Sequence, residues 1–270
     1  MKRILFVLAL SILLYSCSNK PTEVILLGTV HQPVKNFNAD SLYNILVDIK
    51  PDLILFEVDS SFFTPNFQFN KTWNSNENVA TVKYMNNFDV DVRPYDFTGR
   101  NQYRKDIGSR PTDSKTLKLL DSLYKNSALN NKDKTTYQEF LTISDSLNTF
   151  AYLGARGFNN SKTDSVAQIR QTFQYKKLLD VVNNYPIFSN TFYKITVNDS
   201  ISYTEGYTRA SRFWDLRNKT MAKHILHFIK ENKGSRIVVL NGYFHRYYLN
   251  ALIKPHQEKH DFIIKEFYEY

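Results

Sequence analysis

Two histidines, two carboxylates and an arginine fall where strand ends would gather them. His31 closes Gly28-Thr29-Val30-His31 and His245 closes Gly242-Tyr243-Phe244-His245, each three residues after a glycine and each beyond an apolar run, Val24–Leu27 and Ile237–Leu240. Glu57 directly follows Leu53-Ile54-Leu55-Phe56, and Asp96 follows Pro94 and Tyr95. Arg217 lies in Trp214-Asp215-Leu216-Arg217-Asn218, inside a long helical pattern. Imidazole exchanges protons near neutral pH, a carboxylate orients it, and a guanidinium holds an anionic group or a developing oxyanion. Imidazole nitrogens with a carboxylate are also a donor set for a divalent metal such as manganese, cobalt or zinc, which makes His31, Glu57 and His245 candidate ligands.

Each of these residues also has a plain structural use. A strand-end histidine satisfies a backbone group, Glu57 and Asp96 accept from N–H groups at helix starts, and Arg217 pairs on the surface with Asp215 or Glu205 for little stability. What distinguishes the set is a common location. Short branched runs ended by glycine or a carboxylate read as buried parallel strands, and the crevice beyond the carboxyl ends of such strands is where open α/β sheets bind ligands. Tyr243, Arg246 and Tyr247 flank the second histidine as possible donors to a substrate, in a chain with 18 tyrosines. His224, His227, His256 and His260 read as exposed or packing residues.

The elements that must deliver these residues form an α/β pattern. Val24–Leu27 is a strand, and Leu42, Ile45, Leu46 and Ile49 mark one face of a helix over 39–49, capped by Asn38 or Asp40 and ended by Pro51. A second strand at 53–56 completes a βαβ unit, whose two strand ends would be neighbours and would set Glu57 beside His31. A helix over 76–88 leads to a third strand at 90–92. Roughly 99–205 breaks the rhythm: helices over 115–126, 135–153 and 164–183, one strand at 192–197, and much Asn, Ser, Lys and Asp. This reads as a helical insertion in a single domain spanning 23–270. The pattern returns with a long helix over 207–232, a strand at 236–240, a short helix over 247–252 and a closing strand at 262–267. The expected fold class is α/β, an open, mostly parallel sheet with flanking helices.

The first 17 residues read as a bacterial lipoprotein signal. Lys2 and Arg3 precede an apolar stretch from Ile4 to Leu14, too short for a spanning helix, and Leu14-Tyr15-Ser16-Cys17 places the chain's one cysteine at the lipid-attachment position. A lone cysteine there leaves no internal disulfide, thiolate nucleophile or cysteine metal site. The expected location is the cell envelope, outside the cytoplasm, with the membrane engaged through lipid on Cys17 and residues 18–22 as a tether. The net charge of +9 is spread along the chain, with one local cluster at Arg100, Arg104, Lys105 and Arg110. No nucleic-acid motif accompanies it, so a small molecule or peptide is the expected partner and nucleic acid is not.

In order and spacing, VILLGTVH (24–31), PDLILFEVD (51–59), Arg217-Asn218 followed by Met221-Ala222, and VVLNGYFH (238–245) resemble the TraB/PrgY/GumN superfamily. That group is related to the TIKI metalloproteases and, more distantly, to erythromycin esterase and ChaN-like proteins. The resemblance covers both ends of the chain, roughly 23–98 and 207–267. It implies an α/β core with His31, His245, Glu57 and Arg217 at one site and Asp96 as a fifth member. Some relatives are metal-dependent peptidases, others metal-independent esterases, and others act in pheromone shutdown. The chain departs from the pattern after the second motif, where Arg246-Tyr247-Tyr248 replaces small residues. The expected function is therefore hydrolysis of an ester or peptide bond outside the cytoplasm. In one version a metal activates water; in the other Glu57 orients a histidine base, with Arg217 on the oxyanion. The alternative is a surface lipoprotein that binds a peptide signal, haem or glycan fragment without turning it over, its 15% aromatic residues forming the walls.

Overall fold

A computed structural model describes residues 20–270; the expected lipoprotein signal, Cys17 included, lies outside the described residues. Among the described residues no helix is long and apolar enough to cross a membrane.

The chain is α/β, built on a five-stranded, all-parallel sheet with helices on both faces. Its strands are β1 (Thr22–Thr29), β2 (Leu53–Phe56), β3 (Asp91–Pro94), β6 (Arg236–Gly242) and β7 (Phe262–Ile264), in the order β3-β2-β6-β1-β7. All eight residues of β1 are buried, as a central parallel strand requires. Thr22, expected in the tether, is the first of them: fully buried, it pairs with Phe262 and its hydroxyl accepts the Gly234 N–H.

Alternation along the strands loads both faces. Ile25, Leu27, Ile54, Phe56, Val238 and Leu240 meet α1 (Ala39–Ile49) and α2 (Asn76–Met85). Their neighbours Val24, Leu26, Leu53, Leu55, Ile237 and Val239 meet α7 (Tyr203–Glu231) and α8 (Tyr243–Ile253). On α1 the buried residues are Leu42, Leu46 and Ile49, each contributing about 1.5–3 kcal/mol by leaving water. Asn38 caps that helix by accepting the Ser41 N–H.

Two expectations about the sheet change. The ends of β1 and β2 are not neighbours, because β6 lies between them and pairs with both. The histidine after β6 is not in a loop: α8 begins at Tyr243, four residues earlier than the pattern suggests, so His245 sits on its first turn.

The middle of the chain is helical, with α3 (Arg100–Asp106), α4 (Ser109–Lys125), α5 (Asn131–Ala151) and α6 (Ser161–Thr172), the last continued by one π-helical turn at Phe173–Lys177 and a helix at Leu178–Asn183. α4, α5 and the helix at Leu178–Asn183 share an apolar cluster that includes Leu120, Phe140, Leu178 and Phe188, while Leu147 of α5 and Ala167 of α6 pack into the core of the sheet. The strand expected at 192–197 is instead an antiparallel hairpin, β4 (Phe192–Lys194) with β5 (Ser200–Ser202), separate from the main sheet. The insertion is fastened to the core. Asn159 reaches back to β1, where its amide accepts the Gly28 N–H at 2.6 Å and donates to the Gly28 carbonyl at 2.9 Å.

Candidate active site

Because every strand of the sheet is parallel, the carboxyl ends of β1, β2, β3 and β6 open on one edge. Register sets Gly242 opposite Thr29, and Phe56 beside both Leu240 and Pro94. His31, Glu57, Asp96 and His245 follow these ends, and Arg217 reaches them from α7.

Arg217 is the hub, although only 9% exposed. Its Nε and Nη2 donate to the two oxygens of Asp96, both at 2.8 Å, while Nη2 also donates to Glu57 Oε1 at 2.5 Å. Asp215 and Glu205, its expected surface partners, pair instead with Lys219 and Arg209. Burial opposes the guanidinium's charge, but Glu57 and Asp96 outweigh burial and raise its pKa. Asp96 carries a second arginine, since its Oδ2 also accepts from Arg100 at 2.7 Å, and its Oδ1 accepts the Phe97 N–H.

Glu57 is held at both oxygens. Its Oε2 accepts the Gly242 N–H at 2.6 Å, at the N-terminus of α8, where the helix dipole favours a negative charge. Burial alone would push this carboxyl up; nearby His245, Arg217 and that N–H hold it down at about 2. The plain structural use of Glu57, as a helix-start acceptor, is thus present together with its place in the site.

His245 is buried, and its tautomer follows from its neighbours. Asn218 donates its amide to the Trp214 carbonyl, so its oxygen faces His245 Nδ1 at 2.7 Å and that nitrogen must carry the proton. Nε2 then offers a lone pair to Arg217 Nη1, 2.9 Å away. Burial depresses this imidazole's pKa to about 4, with Arg217 adding to burial and Glu57 opposing it, so it is neutral at neutral pH. Trp214 stacks on the ring at 4.4 Å, and Tyr175 from the π-helical turn stacks on Trp214.

His31 differs, with 64% of its side chain exposed. Its carboxylate partner is Glu77 on α2, not Glu57: Nδ1 lies 2.8 Å from Glu77 Oε1, which also accepts the Thr29 hydroxyl. That bond, opposed by partial burial, raises the His31 pKa. Asn76 fixes the loop by donating its backbone N–H to the His31 carbonyl and its amide to the Val30 carbonyl. His31 Nε2 therefore faces the open site. A Cβ added to Gly242 would stand 3.6 Å from it and 3.7 Å from Glu57 Oε2, so the two catalytic candidates flank one glycine.

Two clefts meet over Gly242. One, of about 420 Å³, is lined by His31, Glu57, Arg100, Trp214, Arg217 and His245; the insertion closes part of it with Ala151 and Tyr152. The other, of about 280 Å³, has Phe56, Val58 and Trp73 as apolar walls and shares Thr29, His31, Glu57 and Gly242.

The three candidate metal ligands do not, in this arrangement, turn free lone pairs on a common point. The Nε2 of His245 accepts from Arg217, its Nδ1 is protonated, and Glu57 accepts from the same guanidinium and from Gly242. A divalent ion held by all three would displace a buried cation. Among the described residues no group of three His, Cys, Asp or Glu side chains is placed to hold a metal.

Of the flanking residues, Tyr243 lines the larger cleft and Arg246 does not. Arg246 is buried and donates to the Leu26 carbonyl and to Asp164 and Glu266, tying sheet, insertion and C-terminus together rather than facing a substrate. Tyr243 donates to the Leu147 carbonyl, His224 contacts the Tyr95 carbonyl, and His227 pairs with Glu231 on the surface. Sequence reasoning missed Glu77, Asn218, Trp214 and Arg100 as members of the site. Asn218 had a signal, its adjacency to Arg217; Glu77 had none, being one more acidic residue in a first helical turn 46 positions from His31. No family model, curated protein or solved structure matches the chain.

Proposed function

We propose that the chain is a hydrolase of ester or peptide bonds, of the kind the TraB/PrgY/GumN resemblance implies, acting without a metal and with His31 as the general base. The observation that carries this reading is the Glu77–His31 pair: a carboxylate fixes Nδ1–H and leaves Nε2 as the exposed lone pair above Gly242. In the reaction, Nε2 takes a proton from water as the water oxygen bonds to the carbonyl carbon. The carbonyl electron pair moves onto its oxygen. Arg217 has five N–H groups and uses four on Asp96, Glu57 and His245, which leaves one Nη1–H for that oxyanion. Collapse returns the electron pair, breaks the bond to the leaving alkoxide or amine, and passes the proton from His31 to it.

In this reading Glu57, Asp96, Asn218 and His245 position Arg217 and keep it charged. Lipid on Cys17 would hold the enzyme at the cell envelope, where its substrate is a small ester or peptide. The aromatic stack of Tyr175, Trp214 and His245 favours a second reading, binding without turnover. A panel of esters and peptides separates the two. Turnover by the wild type that is lost in His31→Ala supports the hydrolase; saturable thermal stabilisation with no turnover supports the binding protein.

A further inference from the structure

Arg100 is an arginine without a carboxylate of its own. Its side chain makes one hydrogen bond among the described residues, through Nη1 to Asp96 Oδ2, and that oxygen already accepts from Arg217. Asp96 is thus divided between two guanidiniums. The Nε and Nη2 donors of Arg100 remain unspent on the wall of the larger cleft, with 28% of the side chain exposed. Burial and the nearby Arg217 charge lower the pKa of Arg100, so an added anion would relieve it. Beside the polar floor of His31, Glu57 and Arg217, that cleft has an apolar wall of Trp214, Phe244, Ala151 and Val34.

We propose that the larger cleft takes a ligand carrying a carboxylate on an apolar body, with the carboxylate paired to the free edge of Arg100 and the body against Trp214 and Phe244. This rests on the same cleft as the proposed hydrolysis and narrows its substrate class to acidic, apolar-bodied esters or peptides. A planar carboxylate matches the guanidinium edge, and such a charge-assisted pair in a partly dry cleft gives discrimination that a hydroxyl cannot. Arg100 is then a specificity-determining residue, separate from the oxyanion donor.

The test is calorimetric titration of the full-length chain with 4-phenylbutyrate, 4-phenylbutanol and 3-phenylpropylphosphonate, none of which has a bond to hydrolyse. The expected result is binding of the carboxylate about tenfold tighter than the alcohol, a preference lost in Arg100→Gln and reduced in Arg100→Lys, whose charge keeps Asp96 paired if the glutamine variant unfolds. Equal binding of acid and alcohol overturns the proposal. So does an undiminished preference in either folded variant, or a phosphonate bound in place of the carboxylate. Since the probes do not react, discrimination in a protein with no hydrolytic activity would sink the reaction alone. Hydrolysis without discrimination would sink the carboxylate assignment alone.

Discussion

Nε2 of His245 accepts a hydrogen bond from Nη1 of Arg217 at 2.9 Å while its Nδ1–H is given to Asn218. Both ring nitrogens are spent, one on a cation and one on an amide. The second histidine is therefore tied to the arginine, and the Nε2 left free of the pair is that of His31, the general base of the proposed reaction. The two glycine–histidine turns look alike in sequence and do different work, because one enters a loop clamped by Asn76 and the other enters a helix.

Arg217 should be the costliest single residue of the site to lose. Arg217→Ala leaves buried Glu57 without its arginine and Asp96 with Arg100 alone, and the expected destabilisation is about 3–5 kcal/mol by urea unfolding. Arg217→Lys restores the charge but not the paired geometry to Asp96, and should lose less.

His31→Ala should separate activity from stability. The imidazole is exposed but its partner Glu77 is buried, so its removal should cost about 1–3 kcal/mol of unfolding free energy and leave the fold intact, while kcat/KM against any ester or peptide that the wild type cleaves should fall about 10²–10⁴-fold. Glu57→Gln should lose both, because its amide would turn N–H groups towards Arg217 or Gly242. Paired kinetic and thermal melts check the contrast.

Acid should destabilise the fold in two stages. A buried His245 with a pKa near 4 stays neutral while the unfolded chain takes up a proton around 6.5, so stability falls as pH drops from about 6.5 to 4. Glu57, held near 2 when folded, adds stability above 4.5 that disappears as pH falls from there towards 2. His31 acts oppositely: its raised pKa adds stability below 6.5 that is lost as pH rises through the folded value, a small effect because the group is exposed. Urea midpoints measured across pH, with His245→Asn flattening the 6.5 to 4 stage, test the assignment.

The two motif glycines should respond differently to alanine. At Gly28 a Cβ would meet Asn159 Oδ1 and Tyr243 Cβ at 3.0 Å, where sheet, insertion and α8 converge, and the expected cost is about 1–3 kcal/mol. At Gly242 the backbone angles of −56° and 130° suit alanine and the nearest atoms lie at 3.6 Å, so the fold should tolerate it. The added methyl would instead stand between His31 and Glu57, where the reacting carbonyl is proposed to lie. Gly242→Ala should melt like the wild type and lose turnover.

Much of this site was legible in sequence because it is tied to strand ends. Apolar runs fixed β1, β2 and β6, parallel pairing put their ends on one edge, and His31, Glu57 and His245 followed. Asp96 was legible in the same way, beyond β3. The strand order was not legible, since nothing local in residues 236–242 says that β6 inserts between β1 and β2. The start of α8 was missed because Gly242 looks like the end of a strand, whereas the Gly242 N–H is capped from a distance by Glu57. Glu77 and Arg100 join through tertiary contacts alone. The insertion's role was equally hidden: Asn159 and Tyr175 reach the site region only once the helices have packed.

The most direct test of the account is the pH dependence of kcat/KM for the chelator-treated wild type beside Glu77→Gln. Turnover should survive chelation and rise through a pKa above 6.5, with the rise displaced to lower pH when the Glu77 carboxylate no longer supports the His31 charge. Turnover abolished by chelation and restored by added metal, or a profile unmoved in Glu77→Gln, would contradict it.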